Sequence, residues 1–184
     1  MSLTEAILHT ENLFTGRVIT LNRDTVRLPD GAETTREIAH LTDAVCVLVL
    51  DEQERALVVE QFRCPYRQVL FELPAGKMEP GEEPAQTAVR ELMEETGYRP
   101  GQLIDMGPMY PTPGCVAEVI HLFVATGLEP AVAAPDADEF INAYFMPLQA
   151  IARRIDSGEV ADAKTQILVM RYLYRKGLTA KTEL

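Results

Sequence analysis

The run AVCVLVL at residues 44–50 is apolar at every position. A strand with one face in water alternates apolar and polar residues, whereas a strand apolar throughout is buried on both faces. Such a strand needs a covering layer on each side. The chain supplies the material for both layers. ALVVEQF, QVLFELPAG, QLIDMGPMY, VIHLFVATGL and INAYFMPL read as further strands. Residues 84–96, PLQAIARRIDSG and DAKTQILVMRYLYRKG read as helices, each closed by a glycine. Pro74 and Gly76 are expected to stop the strand that contains QVLFE. The expectation is an α/β fold in which helices cover a mixed sheet.

Residues 1–40 have a different texture. ILHTENLF, GRVITLNRDTVRL and ETTREIAH read as short strands, the last two joined by a PDG turn, and the alternation in RVITLNRDTVRL fits half-buried strands. This segment is too small to bury a core alone. The expected division is an N-terminal antiparallel β segment at 1–40 and a main domain at 41–184.

Charge and cysteine usage exclude several function classes. The net charge of −11 argues against a nucleic-acid or anionic-membrane binder, since both need a basic face. No apolar run approaches membrane-spanning length. MSLTEAILHTENLF carries acidic residues where a signal peptide needs basic ones. Cys46, Cys64 and Cys115 show neither metal-ligand spacing nor a disulfide framework. Reduced thiols in the cytoplasm are the expectation.

The stretch LPAGKMEPGEEPAQTAVRELMEETGY raises a problem of like charges. Pro84 suits the first turn of a helix and Gly97 the position just past its end. On that helix Ala85, Ala88, Val89, Leu92 and Met93 form an apolar stripe. Glu91 and Glu95 lie one turn apart on another face, with Glu94 beside them. A merely solvated face gains from opposite signs at i,i+4, and Glu91 with Glu95 is the unfavourable choice. A divalent cation would relieve the repulsion, and hard oxygens suit Mg²⁺ or Mn²⁺. Periodicity alone leaves metal site and solvated face evenly matched.

Gly76, five residues, Glu82, seven residues, then Arg90-Glu91-Leu92-Met93-Glu94-Glu95-Thr96-Gly97-Tyr98 fills every fixed position of the Nudix box. The chain therefore resembles a Nudix hydrolase. The resemblance implies an α/β/α sandwich with a mixed sheet and hydrolysis of a nucleoside diphosphate linked to another group, with Mg²⁺ or Mn²⁺. It implies that Glu91 and Glu95 are metal ligands, that Glu94 is a ligand or nearly so, and that the Ala75 carbonyl joins them. It implies that Arg90 and Glu82 orient these groups. Arg63, with Arg67 close by, is a plausible phosphate clamp. The alternative for each is an ordinary surface arginine.

Outside the box, VEQFRCPYR, FELPAGKMEPGE, YPTPG and DAKT resemble the ADP-ribose pyrophosphatase branch, with Pro113 sixteen residues past Gly97. The implied reaction turns ADP-ribose and water into AMP and ribose 5-phosphate. The implied base is an acid in AAPDADEF, with Glu139 the first choice and Asp138 the second. Asn142 stands where relatives often show a further acid. Glu118 is another candidate for metal or base. The branch implies a homodimer whose N-terminal sheet helps cover the adenosine, so Arg36 can reach a substrate; an ion-paired strand residue is the equal alternative. The competing readings are a Nudix hydrolase of another nucleotide sugar, such as GDP-mannose, and an inactive nucleotide sensor. The sensor should have lost metal ligands, and all three glutamates are present.

Overall fold

A computed structural model describes residues 3–132 and 140–177. In chain order the elements are β1 (Ala6–Thr15), β2 (Ile19–Arg27), β3 (Glu33–Leu41), β4 (Ala44–Leu50), β5 (Arg55–Arg63), β6 (Gln68–Glu72), β7 (Ala75–Lys77), α1 (Pro84–Thr96), β8 (Tyr98–Met109), β9 (Val116–Ala117), β10 (Ile120–Pro130), β11 (Ile141–Pro147), α2 (Leu148–Asp156) and α3 (Ala163–Arg175). They fall into two compact units.

The first unit comprises Met1–Asp43 and Tyr110–Val119. Its sheet has the order β1-β2-β3-β9. β1, β2 and β3 run antiparallel, as expected of the N-terminal segment, and the short β9 lies parallel to β3. Within this sheet Thr10 donates to the buried Asp24 at 2.7 Å. Ile7, Phe14, Val18 and Ile19 leave much of their surface exposed.

The second unit comprises Ala44–Met109 and Ile120–Leu184. Its sheet runs β11-β5-β4-β10-β8, with β6 on β5 and β7 on β4. The sheet is mixed: β10 is parallel to β4 and antiparallel to β8. All seven residues of β4 are buried, as the apolar run predicts. Its side chains divide by parity, since a strand sends alternate residues to opposite faces. Val45, Val47 and Val49 pack with Ala88 and Leu92 of α1. Cys46, Leu48 and Leu50 pack with Leu148 and Ile151 of α2 and Leu168, Val169 and Leu173 of α3. Each fully buried aliphatic side chain stabilises by roughly 1.5–3 kcal/mol, so both layers draw on the same strand.

Two details depart from the expectations. β6 ends at Glu72, just ahead of Pro74, as expected, but Gly76 lies within a further strand, β7, that has another partner. β6 pairs with β5, whereas β7 pairs with β4. Proline has no N–H to place in a ladder, so a partner change is cheapest there. The Pro74 carbonyl accepts from the Val47 N–H at 2.9 Å. The apolar stripe of α1 is also split. Ala88 and Leu92 are fully buried together with Thr87, whereas Ala85 is exposed. Val89 and Met93 are only partly covered and, with Ala85, Leu103 and Val132, line an open hollow of about 750 Å³. The sheet covers the side of α1 that carries Ala88 and Leu92, and the rest of the stripe turns away from it.

Candidate active site

The site is built on α1. Pro84 opens the helix, where its missing N–H costs nothing. The Glu83 N–H donates to Gln86 Oε1 at 3.1 Å and secures the first turn. Gly97 closes the helix at φ 71°, and its N–H reaches the Met93 carbonyl at 2.9 Å. That left-handed position favours glycine. With both ends fixed and Leu92 anchored in the core, the acidic face has a defined direction.

Arg90 organises that face. Its Nε and Nη2 fork onto Glu82, each bond 2.9 Å long. Its Nη1 donates to Glu91 at 2.8 Å and to Glu94 at 2.9 Å. Its Nη2 also donates to the Lys77 carbonyl at 3.0 Å. The planar guanidinium makes this possible, because its five donors leave in fixed directions. Glu82 further accepts from the Glu79 N–H at 3.0 Å and the Thr87 hydroxyl at 2.7 Å. Hydrogen bonds from Arg90, then from the Glu79 N–H and Thr87, hold the Glu82 carboxyl down to about 2. Arg90 is pushed further above its already high range, chiefly by Glu82.

One guanidinium thus faces three carboxylates. Among the described residues, no three His, Cys, Asp or Glu side chains converge into a ready-made metal cage. Glu91 and Glu94 converge on Arg90 instead. The donor set nevertheless fits a hard divalent cation: Glu91, Glu94 and Glu95 offer only carboxylate oxygens, without soft ligands. Oε2 of Glu95 is screened from solvent, a position where an anionic oxygen gains from nearby positive charge. Gly76 on β7 makes room for this face. A Cβ at residue 76 would lie 1.9 Å from the Glu91 carboxyl carbon. The glycine of the motif is therefore required by close approach.

A second charged cluster lies in the same unit. Glu72 ends β6 and is only 1% exposed. Arg63, at the end of β5, forks onto it with bonds of 2.6 and 2.8 Å. Lys164 of α3 also donates to Glu72 and reaches Asp162 at 2.9 Å. Asp162 caps α3 by accepting from the Thr165 N–H at 2.9 Å. Burial pushes the Glu72 carboxyl up, but hydrogen bonds from Arg63 and the charge of Lys164 outweigh it and leave it below its ordinary range. Burial likewise pushes Lys164 down, and Asp162, Cys46 and Glu72 more than reverse this. Glu95 acts electrostatically on Arg63 and on the buried Cys46, so the two clusters are within range of each other.

The remaining sequence candidates are dispersed. Ala75 lies on β7 opposite Cys46 of β4. Arg67 is exposed in the turn between β5 and β6, with φ 53°. In the first unit, Arg36 of β3 pairs with Glu5 at 2.7 Å, the ion-paired alternative. Glu118, also in that unit, lines a hollow of about 470 Å³ with Asp43, Tyr110, Pro113 and Val116. Asn142 of β11 donates to Glu60 of β5 at 3.2 Å. Glu139 and Asp138 lie outside the described residues. Sequence reasoning missed Glu72 and Lys164 as charged partners. The signal was present: an acid inside the apolar VLFEL must be paired.

Comparison with known proteins follows the same lines. The family model described as NUDIX domain matches residues 40–166. The model described as nucleoside diphosphate sugar hydrolase N-terminal domain matches residues 5–38. The chain is 37% identical to the ADP-ribose pyrophosphatase of Bacillus subtilis, over 98% of each protein. It is 38% identical to the methanol dehydrogenase activator of Bacillus methanolicus, over 96% of this chain and 97% of that one. It is 30% identical to a GDP-mannose pyrophosphatase of Salmonella paratyphi B, over 89% of each. A crystal structure of an ADP compounds hydrolase superposes with a TM-score of 0.82 at 20% identity, covering 97% of this chain and 99% of that one. Among the described residues, no helix is long and apolar enough to cross a membrane.

Proposed function

The chain belongs to the Nudix family, and from that premise we propose that it hydrolyses the pyrophosphate bond of ADP-ribose, releasing AMP and ribose 5-phosphate. The observation that carries this reading is the face of α1, where Arg90 orients Glu82, Glu91 and Glu94 beside Gly76. The likeness to an ADP-ribose pyrophosphatase over nearly the whole chain supports the substrate.

Nudix hydrolases generally use a divalent metal. Here the cation is Mg²⁺, with Mn²⁺ as the substitute. Glu91 and Glu95 would hold it, with Glu94 and the Ala75 carbonyl beside them. When bound, it supplies charge neutralisation at the phosphates and a more acidic water. Arg90 keeps Glu91 and Glu94 in register. Arg63, helped by Arg67, binds the anionic diphosphate, which an acidic protein would otherwise repel. The water oxygen bonds to phosphorus as the bridging P–O bond breaks. Glu139 takes the water's proton, with Asp138 and Glu118 as alternatives.

The protein works in the cytoplasm as a homodimer. Residues 1–40 form its N-terminal β segment and 41–184 its Nudix domain. Exposed apolar residues on β1 and β2 support a contact between copies, and Arg36 would then face the adenosine.

AMP release from ADP-ribose, with Mg²⁺ and with EDTA, tests the reading alongside GDP-mannose and NADH. Metal-dependent cleavage that prefers ADP-ribose is expected. Preference for GDP-mannose would keep the site and replace the substrate. No cleavage of any of them would make the domain a sensor.

A further inference from the structure

Lys164 is the second residue of α3, where the helix dipole disfavours a cation. Its side chain is also only 13% exposed. A lysine so placed needs a compensating anion, and it has two. It donates to Glu72 and to Asp162 at 2.9 Å. Glu72 in turn holds Arg63 by a two-bond fork at 2.6 and 2.8 Å. We propose that Lys164 is a positioning residue for Arg63, acting through the Glu72 carboxylate that both cations share. This rests on the reading of Arg63 as the group that binds the substrate diphosphate.

The geometry gives the mechanism. Arg63 spends Nε and one Nη2 hydrogen on Glu72, which leaves the Nη1 pair and the second Nη2 hydrogen for an anion. Its side chain is 35% exposed, so that edge is accessible. Arg63, Lys164, Glu72 and Asp162 together are electrically neutral. Without the ammonium the cluster would carry one net negative charge beside an incoming diphosphate. Glu72 would then draw Arg63 harder, and Arg63 would offer less to the substrate. The same stretch of α3 also tethers the chain just before Ala75. The Leu73 N–H donates to Thr165 Oγ1 at 2.8 Å, and that hydroxyl donates to Asp162 at 2.6 Å. Asp162, Lys164 and Thr165 thus grip Glu72 and Leu73 together.

Steady-state kinetics on ADP-ribose tests the proposal in the full chain. Lys164→Met is expected to raise KM about tenfold with kcat within about threefold, because the interaction serves ground state and transition state alike. Lys164→Arg should stay within about twofold of wild type. In an Arg63→Ala background, Lys164→Met should cost nothing further, because its effect runs through Arg63. A role confined to stability would lower the thermal midpoint and leave KM unmoved, and a KM effect independent of Arg63 would add to that of Arg63→Ala. An unchanged KM, or additivity, overturns the proposal. If Lys164→Met does not fold, Lys164→Gln removes the charge while keeping a donor, and the same KM shift decides. A wild type that releases no AMP from ADP-ribose overturns the substrate reading and this inference together. A wild type that does, with unshifted variants, overturns this inference alone.

Discussion

The Arg90 and Glu72 clusters are near mirror images, one a cation among carboxylates and the other a carboxylate among cations. Around Arg90, three glutamates face one guanidinium, and the group carries two surplus negative charges. Around Glu72, Arg63 and Lys164 face Glu72 and Asp162, and the charges cancel. The anions at the two centres differ in exposure. Glu72 is 1% exposed, whereas the Glu94 side chain is 38% exposed. A buried cluster must be neutral and fully hydrogen-bonded, since an uncompensated charge there costs several kcal/mol. A half-open cluster can keep a surplus, and a surplus of carboxylates is an attraction for cations. On the proposed reading, the crowding of glutamates on α1 serves metal binding, while the balance at Glu72 serves the fold and also holds Arg63.

The strongest test of that contrast is Glu95→Gln. It should reduce kcat by about 100-fold or more while leaving the thermal midpoint nearly unchanged, because it removes a partly buried carboxylate and no apolar core group. Near wild-type turnover would break the assignment of this face to metal binding. Glu72→Gln, by contrast, should strike stability as well as the substrate binding that Arg63 provides. It removes the buried anion between Arg63 and Lys164, leaving Lys164 with Asp162 alone, and should cost about 3 kcal/mol in denaturant unfolding. A loss below about 1 kcal/mol would show that the balanced cluster is not structural. Gly76→Ala sharpens the picture further. The new methyl would displace the Glu91 carboxylate, the flexible end of a side chain, so stability should change by less than about 1 kcal/mol. Metal-dependent turnover should fall about tenfold. Equal loss of both would mean that β7 itself moves.

The smallest effect concerns acid. The Glu82 carboxyl sits near 2 in the folded protein, below its ordinary value of 4.5. A depressed carboxyl stabilises the fold above its unfolded value and loses that contribution as pH falls through the folded one. Thermal midpoints should therefore decline between pH 4.5 and 2 more steeply in wild type than in Glu82→Gln. Parallel profiles would remove Glu82 from the charge balance.

Much of this was legible from local pattern. The bounds of α1 follow from Pro84 and Gly97, and the burial of β4 from an unbroken apolar run. These are short-range facts, readable without knowing what lies beside them. The α1 acidic face was legible for the same reason, since Arg90, Glu91 and Glu94 are near neighbours on one helix. The Glu72 cluster was not. Glu72 and Lys164 are 92 residues apart, and nothing in either neighbourhood names the other. The partner change at Pro74 was hidden too, because a proline marks an interruption without saying where the chain goes next. The division of the α1 stripe depended on which side of the helix the sheet would cover.

β4 carries a consequence for how such a gene can change. Its odd residues serve the core beneath the acidic helix, and its even residues serve the core beneath the other two. A substitution there damages one layer and spares the other. Loss or gain of a single codon within the strand would exchange the two sets, presenting valines where leucines and a cysteine had packed. Point mutation can therefore explore each layer separately, while a shift of register must be compatible with both at once. Length variation should be confined to the loops, leaving these seven residues unable to grow or shrink by one.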